Sequence, residues 1–330
     1  MDTVLDEQWE QFLAGEEINK EQEETNCNEE ELNKKCKDLY ISTKTKITYL
    51  ENEVDLENLF WKLPIIDYVS QSNGIIKKQM KFTCNTKEEF EEFEKIKNKQ
   101  KNVETLTINN IDDPNGHIKF KYVCKVNIGL CKKDVISYKT KKRGAFYNCF
   151  VCIMRVFFEG EYKEVNIKIF NTGRMSFPGM LSDKLMYKSL SNLIDIFKTI
   201  GYKTNYIKDR VETVLINSNF NCGFYINRNN LNDILKNNYK LNVSYDPCSY
   251  PGIQCKYMIN DHKISFMIFR TGSVLIVGKC NEEILYKVYD FIKKILISEY
   301  KNIVSNTKIQ EKEKKRHETK VKRKIIYITN

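Results

Sequence analysis

No apolar run in this chain of 330 residues is long enough to cross a membrane as a helix. Its acidic start lacks the basic and apolar regions of a secretory signal peptide, so neither a membrane span nor a leader is expected. Histidine is scarce: His117, His262 and His317 are all there are, and none stands near an obvious nucleophile. Metal-dependent or hydrolytic chemistry would have little to work with. The 11 cysteines form no disulfide-like framework. Cys149 and Cys152 have C-x-x-C spacing, but they flank Phe150-Val151 in a predicted strand, so their side chains would point to opposite faces. No second pair stands nearby. Reduced, mostly buried thiols of an intracellular protein are expected, with no metal and no cofactor. Paired carboxylates and catalytic triads are also missing from the face described below, which argues against an enzyme.

What the chain has in excess is charge, unevenly placed. Residues 1–36 hold 12 acidic and 3 basic side chains, a net of −9. The whole chain carries +10, which leaves +19 for the remainder. A strongly basic body has a polyanion as its natural partner. Within the acidic tail, Leu5, Trp9, Phe12 and Leu13 recur at helical spacing and form one apolar face, a candidate partner-binding or self-masking segment.

The chain also repeats itself. IFNTGRMSFPG (169–179) and IFRTGSVLIVG (268–278) lie 99 positions apart, each with Ile-Phe, one variable residue and Thr-Gly. Leu185-Met186-Tyr187-Lys188 stands opposite Ile284-Leu285-Tyr286-Lys287 at the same offset, and Leu193, Ile196 and Phe197 opposite Ile292, Ile295 and Leu296. Thr-Gly between alternating apolar runs predicts a hairpin, and the following spacing predicts a helix. Upstream, Leu56–Phe60 resembles Leu231–Leu235 at an offset of 175, so the first copy carries an insertion of about 76 residues. Two copies of so long a unit imply an internally duplicated domain rather than a solenoid.

Local signals place strands at Ile41–Leu50, Ile75–Phe82, Thr105–Asn109 and Ile118–Val126, with a turn at Asp113-Pro114-Asn115-Gly116. Helices are predicted over Val54–Leu63, ended by Pro64, and over Lys87–Lys99, where Thr86 and Glu89 form a capping box. The expected organisation is an acidic, largely disordered tail (1–36), a first repeat (37–69 and 146–201), an insertion (70–145), a second repeat (202–302) and a basic tail (303–330). Strand alternation assigns Val165, Ile167, Ile169, Met175, Phe177, Phe266, Ile268, Val274 and Ile276 to a core face. It leaves Asn166, Lys168, Phe170, Ser176, Pro178, Met267, Phe269, Leu275 and Val277 on the other. That second face is half apolar with an aromatic at each turn, which marks a binding surface.

Tyr245-Asp246-Pro247-Cys248-Ser249-Tyr250-Pro251-Gly252, followed by the IFRTG hairpin and its helix, resembles the second repeat of the TATA-box-binding protein family. Arg143–Phe150 with Phe170-Asn171-Thr172-Gly173, and the segments IIKKQMKF and GLCKKDVISY, resemble the divergent versions in large nucleocytoplasmic DNA viruses. The resemblance covers about 40–69 and 146–300. It implies an α+β fold, a pseudo-two-fold saddle of duplicated antiparallel sheet with helices on the convex face, here with an α/β insertion. It also implies paired aromatic wedges: Phe170 and Phe269 match the hairpin phenylalanines, Tyr250 matches the second member of the later pair, and the earlier counterpart falls on Cys149 or the adjacent Phe150. Lys168, Ser176, Pro178, Leu215, Asn217, Met267, Leu275 and Val277 would line the groove. Arg155, Arg174 and Lys256 would hold phosphates. The family's central asparagines land near Tyr40 and Leu215, and its outward threonines become Pro178 and Val277, so the usual TATA element is not assured as the ligand.

The resemblance implies a non-enzymatic initiation factor, monomeric in function. It would bind the minor groove of double-stranded AT-rich DNA, bend it, and recruit a IIB-like factor and a viral DNA-directed RNA polymerase. Its expected location is a viral factory in the cytoplasm, the host nucleus or the virion. The alternative is a saddle that no longer bends DNA and serves as a protein-interaction module. In either case Phe170 and Phe269 are expected to be exposed in the free protein.

Overall fold

The computed structural model describes residues 29–113, 117–136 and 146–305. The apolar segment with Leu5, Trp9, Phe12 and Leu13, the turn at 114–116 and most of the basic tail lie outside them. Contacts divide the described residues into two compact units, one built from Thr45–Glu212 and one from residues 29–44 together with 213–305. For brevity they are the 45–212 unit and the 213–305 unit. No described helix is long and apolar enough to cross a membrane.

The 45–212 unit takes the last five residues of β1 (Tyr40–Tyr49), then α2 (Leu56–Lys62), β2 (Gly74–Cys84), α3 (Lys87–Asn98), β3 (Val103–Ile111), β4 (Lys121–Gly129), α4 (Lys132–Ile136), β5 (Cys149–Phe158), β6 (Glu161–Phe170), β7 (Arg174–Pro178) and α5 (Asp183–Thr199). Its strand order is β3-β4-β2-β5-β6-β7-β1. The 213–305 unit takes α1 (Glu29–Lys35), the first five residues of β1, β8 (Glu212–Asn221), α6 (Arg228–Asn237), β9 (Asn242–Ser244), β10 (Ile253–Ile259), β11 (His262–Ile268), β12 (Ser273–Gly278), α7 (Glu282–Ser298) and α8 (Tyr300–Ile303), with strand order β1-β8-β12-β11-β10-β9. Both are antiparallel α+β arrangements with their long helices on one sheet face; in the 45–212 unit the short α4 lies on the other, where Asp134 binds Lys77 and Lys132 N–H donates to Glu164. Val165, Ile167, Ile169, Met175 and Phe177 enter the first core under α2 and α5. Ile264, Phe266, Ile268, Val274 and Ile276 enter the second under α6 and α7.

Matching the two strand orders corrects the insertion boundary. β2 lies beside β5 as β9 lies beside β10, so β2 is the repeat's own strand, lengthened. The added segment is α3, β3, β4 and α4, whose strands extend the sheet outward from β2. The tail expectation is corrected as well. Residues 29–35 form a helix, and Leu32, Cys36 and Leu39 are buried because the segment lies against the second repeat. Lys37 N–H donates to Asn221 O at 2.8 Å, and Tyr289 Oη donates to Lys37 O at 3.3 Å.

The repeated motif has a common mechanical cause. Gly173 and Gly272 donate N–H to Phe170 O and Phe269 O, each at 3.0 Å, and have φ of +74° and +78°. This is a tight turn closed by a left-handed glycine. A Cβ would also stand 2.6 Å from Asn52 O or 2.4 Å from Phe224 O. Each turn then reaches the start of its own repeat: Gly173 O accepts from Leu50 N–H and Gly272 O from Cys222 N–H, while Asn171 O accepts from Val54 N–H and Arg270 O from Ile226 N–H. Val54 and Ile226 immediately precede Asp55 and Asn227, whose side chains cap α2 and α6. The later helices are capped alike by Ser182 and Asn281. Their first-turn acids at the 99-residue offset, Asp183 and Glu282, pair with Lys46 and Lys44 of β1.

Candidate nucleic-acid interface

In the 213–305 unit the sheet face opposite the helices is built in cross-strand rows. One runs Ser244, Gln254, Met267, Leu275, Asn219; the next runs Asn242, Lys256, Ser265, Val277, Asn217. Met267, Leu275, Val277, Leu215 and Asn217 are half-buried and Lys256 is exposed. Asn217 Nδ2 donates to Thr43 Oγ1 at 2.8 Å, tying the row to β1. At the turn end stand Tyr250 and Phe269, ring centroids 6.0 Å apart and edge to face. Tyr250 Oη donates to Met267 Sδ at 3.5 Å, and burial raises its phenol pKa.

Phe269 departs from expectation. It is only 3% exposed, although it stands outside the apolar core beneath the helices. Its cover is a loop. Asp246 Oδ1 accepts from Cys248 N–H, Asp246 O accepts from Tyr250 N–H, and Arg228 donates to Pro251 O, which folds Tyr250 onto the phenylalanine ring. Gly252 makes the fit possible, since a Cβ there would meet Phe269 Cε1 at 2.9 Å.

In the 45–212 unit the corresponding row is Ser176, Lys168, Val151, Gln79, Asn127, Glu104, far more polar. Phe170 is half-buried, Arg174 lies over its ring at 5.6 Å, and Pro178 is half-buried opposite Thr45. Register settles the slip between Cys149 and Phe150. Cys149 pairs directly with Phe170 and shares its face, its thiol pKa raised by burial. Phe150 pairs with Ile169, is fully buried and meets Phe60 at 6.0 Å, so it cannot act as a wedge. Arg155 is likewise withdrawn from the phosphate set. Its guanidinium donates to Tyr68 O at 2.5 Å and Ser70 O at 2.7 Å, holding the loop before β2.

Residues 211–298 match the family model described as transcription factor TFIID, or TATA-binding protein (TBP). The chain is 29% identical over 198 residues to a TATA-box-binding protein-like protein of Acanthamoeba polyphaga mimivirus, covering 52% of this chain and 54% of that one. It is 31% identical over 118 residues to TATA-box-binding protein 2 of Methanosarcina acetivorans, covering 35% and 60%. Residues 211–298 thus match the TBP family, and over a longer stretch the chain is similar to a divergent TBP-like protein. The chain spans less than two thirds of the length of these relatives. Among solved structures it is similar to Methanococcus jannaschii TBP, with 17% identity and a TM-score of 0.39, covering 78% of this chain and 99% of that one.

The structure gathers the TBP-like candidates into two sets. Tyr250, Phe269, Met267, Leu275, Val277, Leu215, Asn217 and Lys256 share the face of the 213–305 unit, and Phe170, Arg174, Lys168, Ser176 and Pro178 that of the 45–212 unit. Three polar atoms of the latter face, Asn166 Oδ1, Asn127 Oδ1 and Arg174 Nε, are buried without a hydrogen-bond partner. Sequence reasoning missed Lys81 and Tyr147. The ammonium lies 3.3 Å from the ring centroid and, with Lys121, pulls the phenol pKa down. The signal available was a lysine at an outward position of β2.

Proposed function

We propose that this TBP-like protein is a DNA-binding transcription initiation factor that docks the sheet faces opposite its long helices in the minor groove of AT-rich duplex DNA. The observation that carries the reading is the Tyr250–Phe269 pair beside Met267, outside the apolar core and at the turn end of a half-apolar sheet face. A minor groove separates A·T from G·C pairs and little else, so apolar Met267, Leu275 and Val277 on the two central strands can lie against its floor without forgoing sequence readout. Aromatic side chains at its end can enter a base step and unstack it. Arg174, Lys168 and Lys256 supply the phosphate contacts, and a IIB-like factor and a viral RNA polymerase are the partners this role calls for.

The cover over Phe269 gives a second reading specific support: a face whose wedge stays closed would serve as a protein-interaction module without bending DNA. End-labelled AT-rich and GC-rich duplexes decide between them. Preference for the AT-rich duplex, with a bend by energy transfer that is lost in Phe269→Ala/Tyr250→Ala, supports the factor. Equal weak binding and a straight duplex leave the module.

A further inference from the structure

Beside Lys168, the outward face of β2 and β4 and the segment before β5 carry features that minor-groove docking does not use. Lys81 of β2 pairs directly across the sheet with Lys125 of β4. Lys168 of β6 shares a row with Val151 and Gln79, so it stands two strands and two residues from Lys81, roughly 12 Å at the backbone. Among the described residues no carboxylate forms an ion pair with any of the three; the nearby Asp134 holds Lys77, and Glu104 accepts from Asn127. Phe146 and Tyr147 precede β5 and are 63% and 66% exposed. Lys168 Nζ lies 5.4 Å from the Phe146 centroid and Lys81 Nζ 3.3 Å from that of Tyr147.

We propose that Phe146 and Tyr147, flanked by Lys81, Lys125 and Lys168, form a stacking platform for unpaired nucleotides of a single-stranded nucleic acid. Two adjacent aromatic rings left largely in water contribute little to folding. A duplex keeps its base faces stacked and offers these rings nothing, and an acidic peptide offers charge without π-faces. A single strand presents a phosphate and a π-face at every nucleotide, matching lysines interleaved with rings. The approximate 12 Å between Lys168 and Lys81 spans about two phosphates of an extended strand.

The test uses the full chain, fluorescein-labelled oligo(dT) of 20 nucleotides and an AT-rich duplex of equal length. Phe146→Ala/Tyr147→Ala should weaken oligo(dT) binding at least tenfold while duplex affinity stays within twofold, and Phe146→Tyr/Tyr147→Phe should restore it. Lys81→Gln/Lys168→Gln should lower the log–log salt slope for oligo(dT) by about 1.4, two phosphates at about 0.7 each. Circular dichroism and urea unfolding confirm that the variants fold. Failure of the wild-type chain to bind oligo(dT), or binding that the aromatic double variant leaves within twofold, overturns the platform. So does an equal loss on single strand and duplex, which would report a general backbone contact. Phe269→Ala/Tyr250→Ala should leave oligo(dT) binding unchanged, so this inference and the minor-groove reading fail separately.

Discussion

Phe269 and Phe170 occupy equivalent places in the two repeats but stand in different surroundings. Phe269 is closed under Tyr250 against Gly252, whereas Phe170 is half-buried beside Arg174. Truncating a buried phenylalanine removes burial energy and leaves a cavity, at about 3–5 kcal/mol in a core. Urea unfolding should therefore show Phe269→Ala less stable than Phe170→Ala by about 2 kcal/mol; equal losses would mean that Phe269 is as accessible as its counterpart. Lys78 is the other residue whose surroundings decide its chemistry. It is 1% exposed, and its ammonium donates to Phe60 O at 2.6 Å and Leu63 O at 2.7 Å. Phe60 O lacks its usual helical donor because residue 64 is proline. Burial lowers the lysine pKa to about 8. Between that value and its unfolded pKa of 10.5 the unfolded chain holds the extra proton, so this group's contribution to stability rises with pH. Relative to Lys78→Met, the wild type should gain about 2 kcal/mol from pH 7.5 to 9.5. A difference that stays level over that range would mean that the ammonium does not titrate there.

At the scale of elements, the two turn glycines combine a left-handed backbone with a carbonyl closer than any Cβ tolerates. Gly173→Ala and Gly272→Ala should each cost more than about 2 kcal/mol, and Gly179→Ala, with φ of +81° and open space, nearer 1 kcal/mol. Thermal unfolding of the three variants gives the order; a Gly179 variant as damaged as the other two would overturn the contact argument. The turns were legible in the sequence because Thr-Gly between alternating runs has few other uses. Alternation likewise assigned both core faces, since period two survives wherever one face is covered by helices. Three features were not legible. Cys149 and Phe150 differ by a single register step that only pairing with β6 decides. The membership of β2 in the repeat depends on its neighbour β5, which lies beyond the added segment in the chain. The loop that covers Phe269 depends on hydrogen bonds from Asp246 and Arg228, whose residue types also suit an open turn.

At the scale of the whole molecule, the basic excess is partly spent on architecture. Lys44, Lys46, Lys77 and Lys78 are bound to acids or carbonyls, and Arg155 to a loop. Fewer cations than the formal count are left for a polyanion. With about four phosphates neutralised, duplex affinity should fall roughly 100-fold between 50 and 200 mM salt. A flat response would show that charge takes no part in binding. The division of β1 between the units reaches beyond binding, to synthesis. Residues 29–44 are made before the rest of their unit, yet Ser42 bonds to Asn217, 175 positions later. At 5–20 residues per second the ribosome needs about 10–35 s to deliver that partner. For that interval the opening half of the strand and the apolar side chains of Leu32 and Leu39 wait without their unit, a window in which a chaperone or a premature contact would decide the yield of folded protein.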